Sequence, residues 1–187
     1  MADLTELTSR VPIIVSYRDA KAEDNAALAE FARNSFVDSF GHTYRPEDLA
    51  RFLDESYSPQ IQGRELADPQ VETRLAMRGR KIVGYCQVRA LGLPIDGVDP
   101  KDAIELRRLY LSPMVQGSGI ADRMICWAFA RARARGAKDV YLGVWSQNLR
   151  AQRFYARHGF RSAGSYGFRV GDQIDEELIL RASAVPC

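Results

Sequence analysis

The stretch from Ile104 to Ala134 constrains this chain more than any other. An apolar segment carries Ile104, Leu106, Leu109 and Leu111. It passes through Ser112-Pro113 and Gln116-Gly117-Ser118-Gly119-Ile120-Ala121 into a long amphipathic segment. That order predicts strand, glycine-bearing turn and helix. The first N–H groups of a helix have no partner within it and sit at the positive end of its dipole, so such a turn suits phosphate-like anions. A phosphorylated cofactor is therefore expected here, and a purely structural turn is the alternative these residues leave open. Two nucleotide motifs fail on the residues themselves. Asp122 stands where a dinucleotide fingerprint needs its third glycine, and no Gly-Lys-Ser/Thr closes the turn as in a P-loop.

The chain has 187 residues, a length suited to one domain with a substantial core. Its 26 basic and 24 acidic side chains leave a formal charge of +2, which gives no electrostatic case for nucleic acid. Arg131, Arg133 and Arg135 alternate with alanine late in the helix and read as a solvated face that favours the dipole. Cys86, Cys126 and Cys187 cannot all pair and match no zinc spacing, so reduced thiols and no metal site are expected. With Asp3, Glu6 and Arg10 and no apolar core segment near residue 1, no secretory leader is expected, and the apolar run Ile125 to Ala130 is too short to span a bilayer. These features predict a cytoplasmic protein without a membrane partner.

Residues 1–12 read as a lead-in, 13–181 as the domain and 182–187 as a tail. Ile13 to Tyr17 predicts a first strand. A helix over 22–40 follows from the spacing of Ala26, Ala27, Phe31, Phe36 and Phe40, and ends at Gly41. Pro46 opens a second helix that turns Leu49, Phe52 and Leu53 inward, and Gln60 to Leu66 predicts a third. Strands over 71–77 and 81–90 join across Arg78-Gly79-Arg80, and 92–103 is a surface loop. After the strand over 104–111 comes a helix over 117–135, capped by Gly136. Val140 to Val144 is a buried strand, and Asn148 caps a helix that Gly159 stops. Two last strands, 160–170 and 173–180, join at Gly171-Asp172. Together these elements predict one mixed α/β sheet domain.

Gln116-x-x-Gly119-x-Ala121 between strand and helix resembles the acetyl-CoA pyrophosphate motif of the GCN5-related N-acetyltransferases (GNAT). The block from Leu142-Gly-Val-Trp-Ser-Gln-Asn148 through Arg153-Phe-Tyr155-Ala-Arg-His-Gly159-Phe160 is similar to that family's second cofactor motif, and the order of elements agrees over about residues 13–181. The resemblance implies the acyl-CoA N-acyltransferase fold: a single mixed, mostly antiparallel sheet of about seven strands flanked by helices. Phe36-Val-Asp-Ser-Phe40, Tyr44-x-Pro-Glu-Asp-Leu49, Leu142-Gly-Val-Trp145 and Phe168-x-x-Gly-Asp172 look like bacterial polyamine acetyltransferases acting on spermidine and spermine.

The implied reaction is acetyl transfer from acetyl-CoA to a primary amine, without a covalent enzyme intermediate. Backbone N–H groups across Gln116, Gly117, Ser118, Gly119, Ile120 and Ala121 would hold the pyrophosphate. Leu109, Tyr110 and Leu111 would pair with the pantetheine arm like an added strand. Tyr155 fills the general-acid position, and a phenol that titrates near ~10 is protonated at neutral pH; its bland role is core packing beside Phe154. Asn148 contacts the cofactor in the family and is also a helix cap. Glu105, eleven residues before Gln116, matches the catalytic glutamate of histone-type members; its bland role is an ion pair with Arg107 or Arg108. Direct deprotonation of an alkylammonium by a glutamate crosses about six pKa units, roughly 8 kcal/mol, so a water relay or the neutral amine fraction is expected. His42 is the rival base, and His158 is expected to serve the helix dipole. Asp38, Glu47, Asp48, Asp172, Asp175, Glu176 and Glu177 are candidates for an acidic mouth that steers a polycation. A protein amine acceptor and a non-catalytic acyl-CoA-binding module are the rival functions, and a homodimer is compatible with the chain.

Overall fold

The computed structural model describes residues 14–185; the expected lead-in over 1–12 and Cys187 lie outside them. Among the described residues seven strands form one sheet in the order β1-β2-β3-β4-β5-β7-β6. They are β1 (Ser16–Asp19), β2 (Glu72–Arg78), β3 (Lys81–Ala90), β4 (Ala103–Leu111), β5 (Asp139–Trp145), β6 (Arg161–Val170) and β7 (Gln173–Ser183). Only β4 and β5 run parallel; every other pair is antiparallel. This is the expected mixed α/β class. The helices are α1 (Asn25–Phe40), α2 (Pro46–Tyr57), α3 (Pro59–Ala67), α4 (Ile120–Ala134) and α5 (Leu149–Arg157).

Two cores cover the two faces. Ile120, Met124, Ile125, Ala128, Phe129 and Ala132 of α4 pack on Val88, Ile104, Leu106, Val140 and Leu142 of the central strands. On the other face Leu28, Ala32 and Phe36 of α1 and Leu53 and Tyr57 of α2 pack on Leu75, Met77 and Tyr85. A bulge in β4 decides which residues see which core. Gln87 pairs with Arg108 but Val88 pairs with Leu106, so Arg107 is the extra residue. Past it the side-chain alternation is reset. Leu109 and Leu111 join Ile104 and Leu106 on the α4 face, while Arg108 and Tyr110 turn toward α1–α3. Gly84, opposite Leu111, lets the strands close, because a Cβ there would overlap the Leu111 side chain.

Several local expectations shift. The first strand starts at Ser16, after the expected strand residues Ile14 and Val15, and Ile14 is exposed; Ile13 lies outside the described residues. The helix after the turn starts at Ile120, because Gly117 and Gly119 adopt left-handed φ values of 75° and 81° that a helix cannot include. The last strand runs to Ser183, which pairs with Asp139. The arginines of α4 are more than a solvated face: Arg131 and Arg135 both reach Glu72 of β2, and Arg133 donates to the Val185 carbonyl. Cys86 is free and buried, whereas Cys126 is disulfide-bonded, so the expectation of reduced thiols holds for Cys86 and is corrected for Cys126. Among the described residues no helix is long and apolar enough to cross a membrane.

Candidate active site

β4 and β5 pair at only three positions, Ala103 with Asp139, Ile104 with Val140 and Glu105 with Tyr141. Beyond them β5 stays with β7 as far as Trp145, and β4 stays with β3 as far as Leu111. The strands therefore part, and the β4 edge facing β5 from Leu106 to Leu111 has no strand partner among the described residues. The parting opens a cleft of about 1500 Å³. That is larger than the ~300–1,000 Å³ typical of one drug-sized ligand.

The glycine turn forms one wall. Gln116, Gly117, Gly119 and Ala121 line the cleft together with Leu109, Tyr110 and Leu111, whereas Ser118 and Ile120 do not. Ile120 is buried under the turn, and Ser118 donates its hydroxyl to the Val115 carbonyl, which ties the turn down. No Cβ added at Gly117 or Gly119 would meet another atom within 4 Å, so their role is backbone conformation rather than packing space. The N–H groups of Gly117 to Ala121 donate to no acceptor among the described residues. These donors sit at the α4 N-terminus and form a cradle suited to a phosphorylated ligand. Arg150, at the start of α5, donates to Gln116 Oε1 at 2.8 Å and brings a cation to the same wall. Nothing in the spacing of Arg150 points to it, because it reaches the turn from another element.

Asn148 and Tyr155 also line the cleft. Asn148 Oδ1 accepts from the Ala151 N–H at 3.1 Å, so its capping role is realised. Tyr155 packs edge-on against Phe154 and Phe160, and its hydroxyl has no hydrogen-bond partner among the described residues. Burial pushes its pKa well above the ordinary value, with the charge of Glu177 acting in the same direction. The phenol therefore stays protonated throughout the physiological range.

Glu105 lies on the cleft wall and is only 4% exposed. Its carboxylate accepts from Arg89 Nη2 at 2.9 Å and from the Gly92 N–H at 3.0 Å. The expected partners Arg107 and Arg108 instead reach Glu65 of α3. The buried Arg108 also donates to Gln87 at 2.8 Å and stacks over the Tyr57 ring at 4.8 Å. Glu105 thereby ties the segment after β3 to the sheet.

The cleft lining also holds acidic and aromatic groups. Of the seven acidic candidates, Asp38, Asp175 and Glu177 line it; Glu47, Asp48, Asp172 and Glu176 do not. Asp48 is buried and pairs with Arg51. Tyr44 donates to Asp175 at 2.6 Å, and Tyr166 donates to Glu177 at 2.5 Å. Trp145 meets Phe40 edge-on at 6.0 Å, and Phe36 stacks on Tyr44 at 6.0 Å. Such faces and carboxylates suit an organic cation. No local sequence signal marks Tyr166, because only the β6–β7 register sets it beside Glu177. His42 does not line the cleft, and His158 bonds Asp122 at 2.9 Å, joining α5 to the first turn of α4.

Residues 29–160 match the Acetyltransferase (GNAT) family. The chain is 34% identical over 157 residues to an uncharacterised N-acetyltransferase of Mycobacterium bovis, covering 84% of this chain and 96% of the relative. It is 30% identical over 98 residues to the aminoalkylphosphonate N-acetyltransferase of Salmonella typhimurium, covering 52% and 62%. It is 23% identical to the spermidine N(1)-acetyltransferase of Thermoplasma acidophilum over 79% and 88% of the two chains. In fold it is similar to the crystal structure of PaiA N-acetyltransferase from Thermoplasma acidophilum in complex with coenzyme A. The TM-score is 0.73 at 21% identity, over 91% of this chain and 99% of that one.

Proposed function

The chain belongs to the acetyltransferase (GNAT) family, and we propose that it moves the acetyl group of acetyl-CoA to a primary amine of a small cationic acceptor, with polyamines as the leading class. The observation that carries this reading is the polarity of one cleft. A turn of unpaired backbone donors with Arg150 lines the same cleft as Asp175, Glu177 and a set of aromatic rings. A polyanionic cosubstrate and a polycationic acceptor can thereby both be drawn to one space.

The residues present fit coenzyme A. The Gly117–Ala121 N–H groups would hold the pyrophosphate, and the free edge of β4 from Leu106 to Leu111 offers backbone groups to the amide-bearing arm. Bound acetyl-CoA would supply the activated acetyl thioester. Holding the amine against it removes much of the entropic barrier, so a covalent enzyme intermediate is unnecessary. Tyr155 then acts as proton donor to the departing sulfur. Its raised pKa keeps the proton in place, and its unpaired hydroxyl is free to donate.

The test is thiol release from acetyl-CoA with a panel of spermidine, spermine, monoamines, an aminoalkylphosphonate and a lysine peptide. Faster turnover of the polyamines than of the phosphonate and the peptide is expected. Background rates for all the small amines would overturn the reading.

A further inference from the structure

Transfer to an alkylammonium needs a group that takes up its proton, a requirement that rests on the function proposed above. Both oxygens of Glu105 are already committed, one to Arg89 and one to Gly92. A second carboxylate faces the same cleft from β7. Glu177 pairs in register with Trp145 of β5 on one side and with Tyr166 of β6 on the other. Gly143 lies on β5, two residues before Trp145 and therefore on the same face. A Cβ at Gly143 would lie 2.5 Å from Glu177 Oε2 and 2.7 Å from the Tyr166 hydroxyl. Both side chains thus lean over Gly143, across β5, toward the gap where β4 and β5 part.

We propose that the hydrogen-bonded Tyr166–Glu177 pair is the proton-accepting unit of this enzyme, and that the missing side chain at Gly143 is what admits the pair to the cleft. The groups facing Glu177 are Tyr166 from β6, Asp175 on its own strand, Glu105 from β4, Tyr155 from α5 and Tyr44 from the segment before α2. Arg89 acts on the pair through Tyr166. Burial raises the proton affinity of Glu177 most. The Tyr166 bond opposes it, and Asp175 and Glu105 raise it further. The mismatch with an alkylammonium is thereby narrowed.

The proton balance closes. Through a water relay the carboxylate of Glu177 takes one proton from the ammonium, feeding the small neutral-amine fraction. The amine nitrogen bonds to the acetyl carbon as the carbon–sulfur bond breaks, and Tyr155 gives its proton to the sulfur. The phenolate of Tyr155 recovers a proton from the acylated nitrogen, and Glu177 releases its own to solvent. Ammonium and thioester become amide, thiol and one released proton.

The experiment compares pH profiles of kcat and kcat/KM for the wild type, Glu177→Gln, Tyr166→Phe, Gly143→Ala and Glu105→Gln. Glu177→Gln is expected to lower kcat by ~100-fold or more and to abolish the acidic limb, while acetyl-CoA affinity stays within about threefold. Gly143→Ala should lower kcat by ~10-fold or more by displacing the pair. Tyr166→Phe should move the acidic limb to higher pH, because it removes the bond that stabilises the carboxylate. It carries the test if Glu177→Gln fails to fold. The proposal is overturned if Glu177→Gln keeps the limb while Glu105→Gln loses it, or if Tyr166→Phe leaves the limb in place. If the wild type turns over no amine, the acetyl-transfer reading fails by itself. The pair is then decided by carbon-13 NMR titration of the glutamate carboxylates. Glu177 titrating above glutamate of the unfolded chain, and higher still in Tyr166→Phe, supports the pair, and titration at or below the unfolded value overturns it.

Discussion

Glu105 and Tyr141 are the last residues at which β4 and β5 pair. The glycine turn and the unpaired edge of β4 lie beyond that point, where β4 follows β3, β5 follows β7, and their facing edges separate. The cleft is thus a property of strand divergence, with Glu105 at its apex held by Arg89 and Gly92.

The glycine turn should fail through its backbone. Valine at Gly119 must adopt φ near 81°, a region that β-branched residues avoid at a cost of about 1–2 kcal/mol. Turn relaxation would misdirect the Gly117–Ala121 N–H groups. Gly119→Val is expected to weaken acetyl-CoA binding by more than ~10-fold in calorimetric titration, with an unchanged far-UV circular dichroism spectrum.

Tyr155→Phe keeps the ring that packs on Phe154 and Phe160 and removes only the hydroxyl. The expected outcome is a kcat reduced by more than ~10-fold with acetyl-CoA affinity nearly unchanged. Burial raises the phenol pKa, so deprotonation of Tyr155 should produce no alkaline limb below pH ~10 in the wild type. An unchanged kcat would return the residue to packing alone.

Arg108 is buried against Glu65, Gln87 and the Tyr57 ring. Truncation leaves Gln87 Oε1 without its donor and Glu65 with only Arg107 and the Gln87 amide. Arg108→Ala should therefore lose about 2 kcal/mol of stability in urea unfolding, from a buried acceptor left unsatisfied and a weakened ion pair. Arg33→Ala removes only an ion pair to the exposed Asp54 and should change stability by less than ~1 kcal/mol.

Asp24 is held below the usual carboxylate range, chiefly by hydrogen bonds from Arg18, with the Lys21 N–H adding to them against the burial penalty. A folded pKa below the unfolded value stabilises the protein above the unfolded pKa, and that stability is lost as pH falls through the folded one. The wild type should lose this contribution below pH ~4, and Asp24→Asn should flatten that part of the stability curve. Arg18 is partly exposed, so about 1 kcal/mol or less is expected at neutral pH.

The turn between β6 and β7 should be intolerant of a side chain. Gly171 has φ of 58°, and a Cβ there would overlap the buried Asp48 carboxylate on α2. Gly171→Ala is expected to lower the thermal midpoint by several degrees, whereas Gly97→Ala, equally left-handed but open to space, should lower it less.

What the sequence determined by itself is whatever depends on neighbours along the chain. The apolar pattern of β4, the glycines at 117 and 119, the Asn148 cap and the Gly136 stop are local signals, and each element they mark is present. Their weakest points were element ends, as at Ser16 and Ile120, where apolar residues continue past the last hydrogen-bonded pair or a left-handed glycine starts the helix late. Only the tertiary structure decided which charges meet. Arg89 rather than Arg107 or Arg108 takes Glu105, because the bulge at Arg107 and the antiparallel β3–β4 register bring Arg89 opposite Glu105. Tyr166 and Glu177 lie eleven residues apart in the chain, and they lean over Gly143 only because β7 sits between β5 and β6. Spacing along one strand fixes the face a side chain takes; strand order and register fix its partner, and those are set by the packing of the whole sheet.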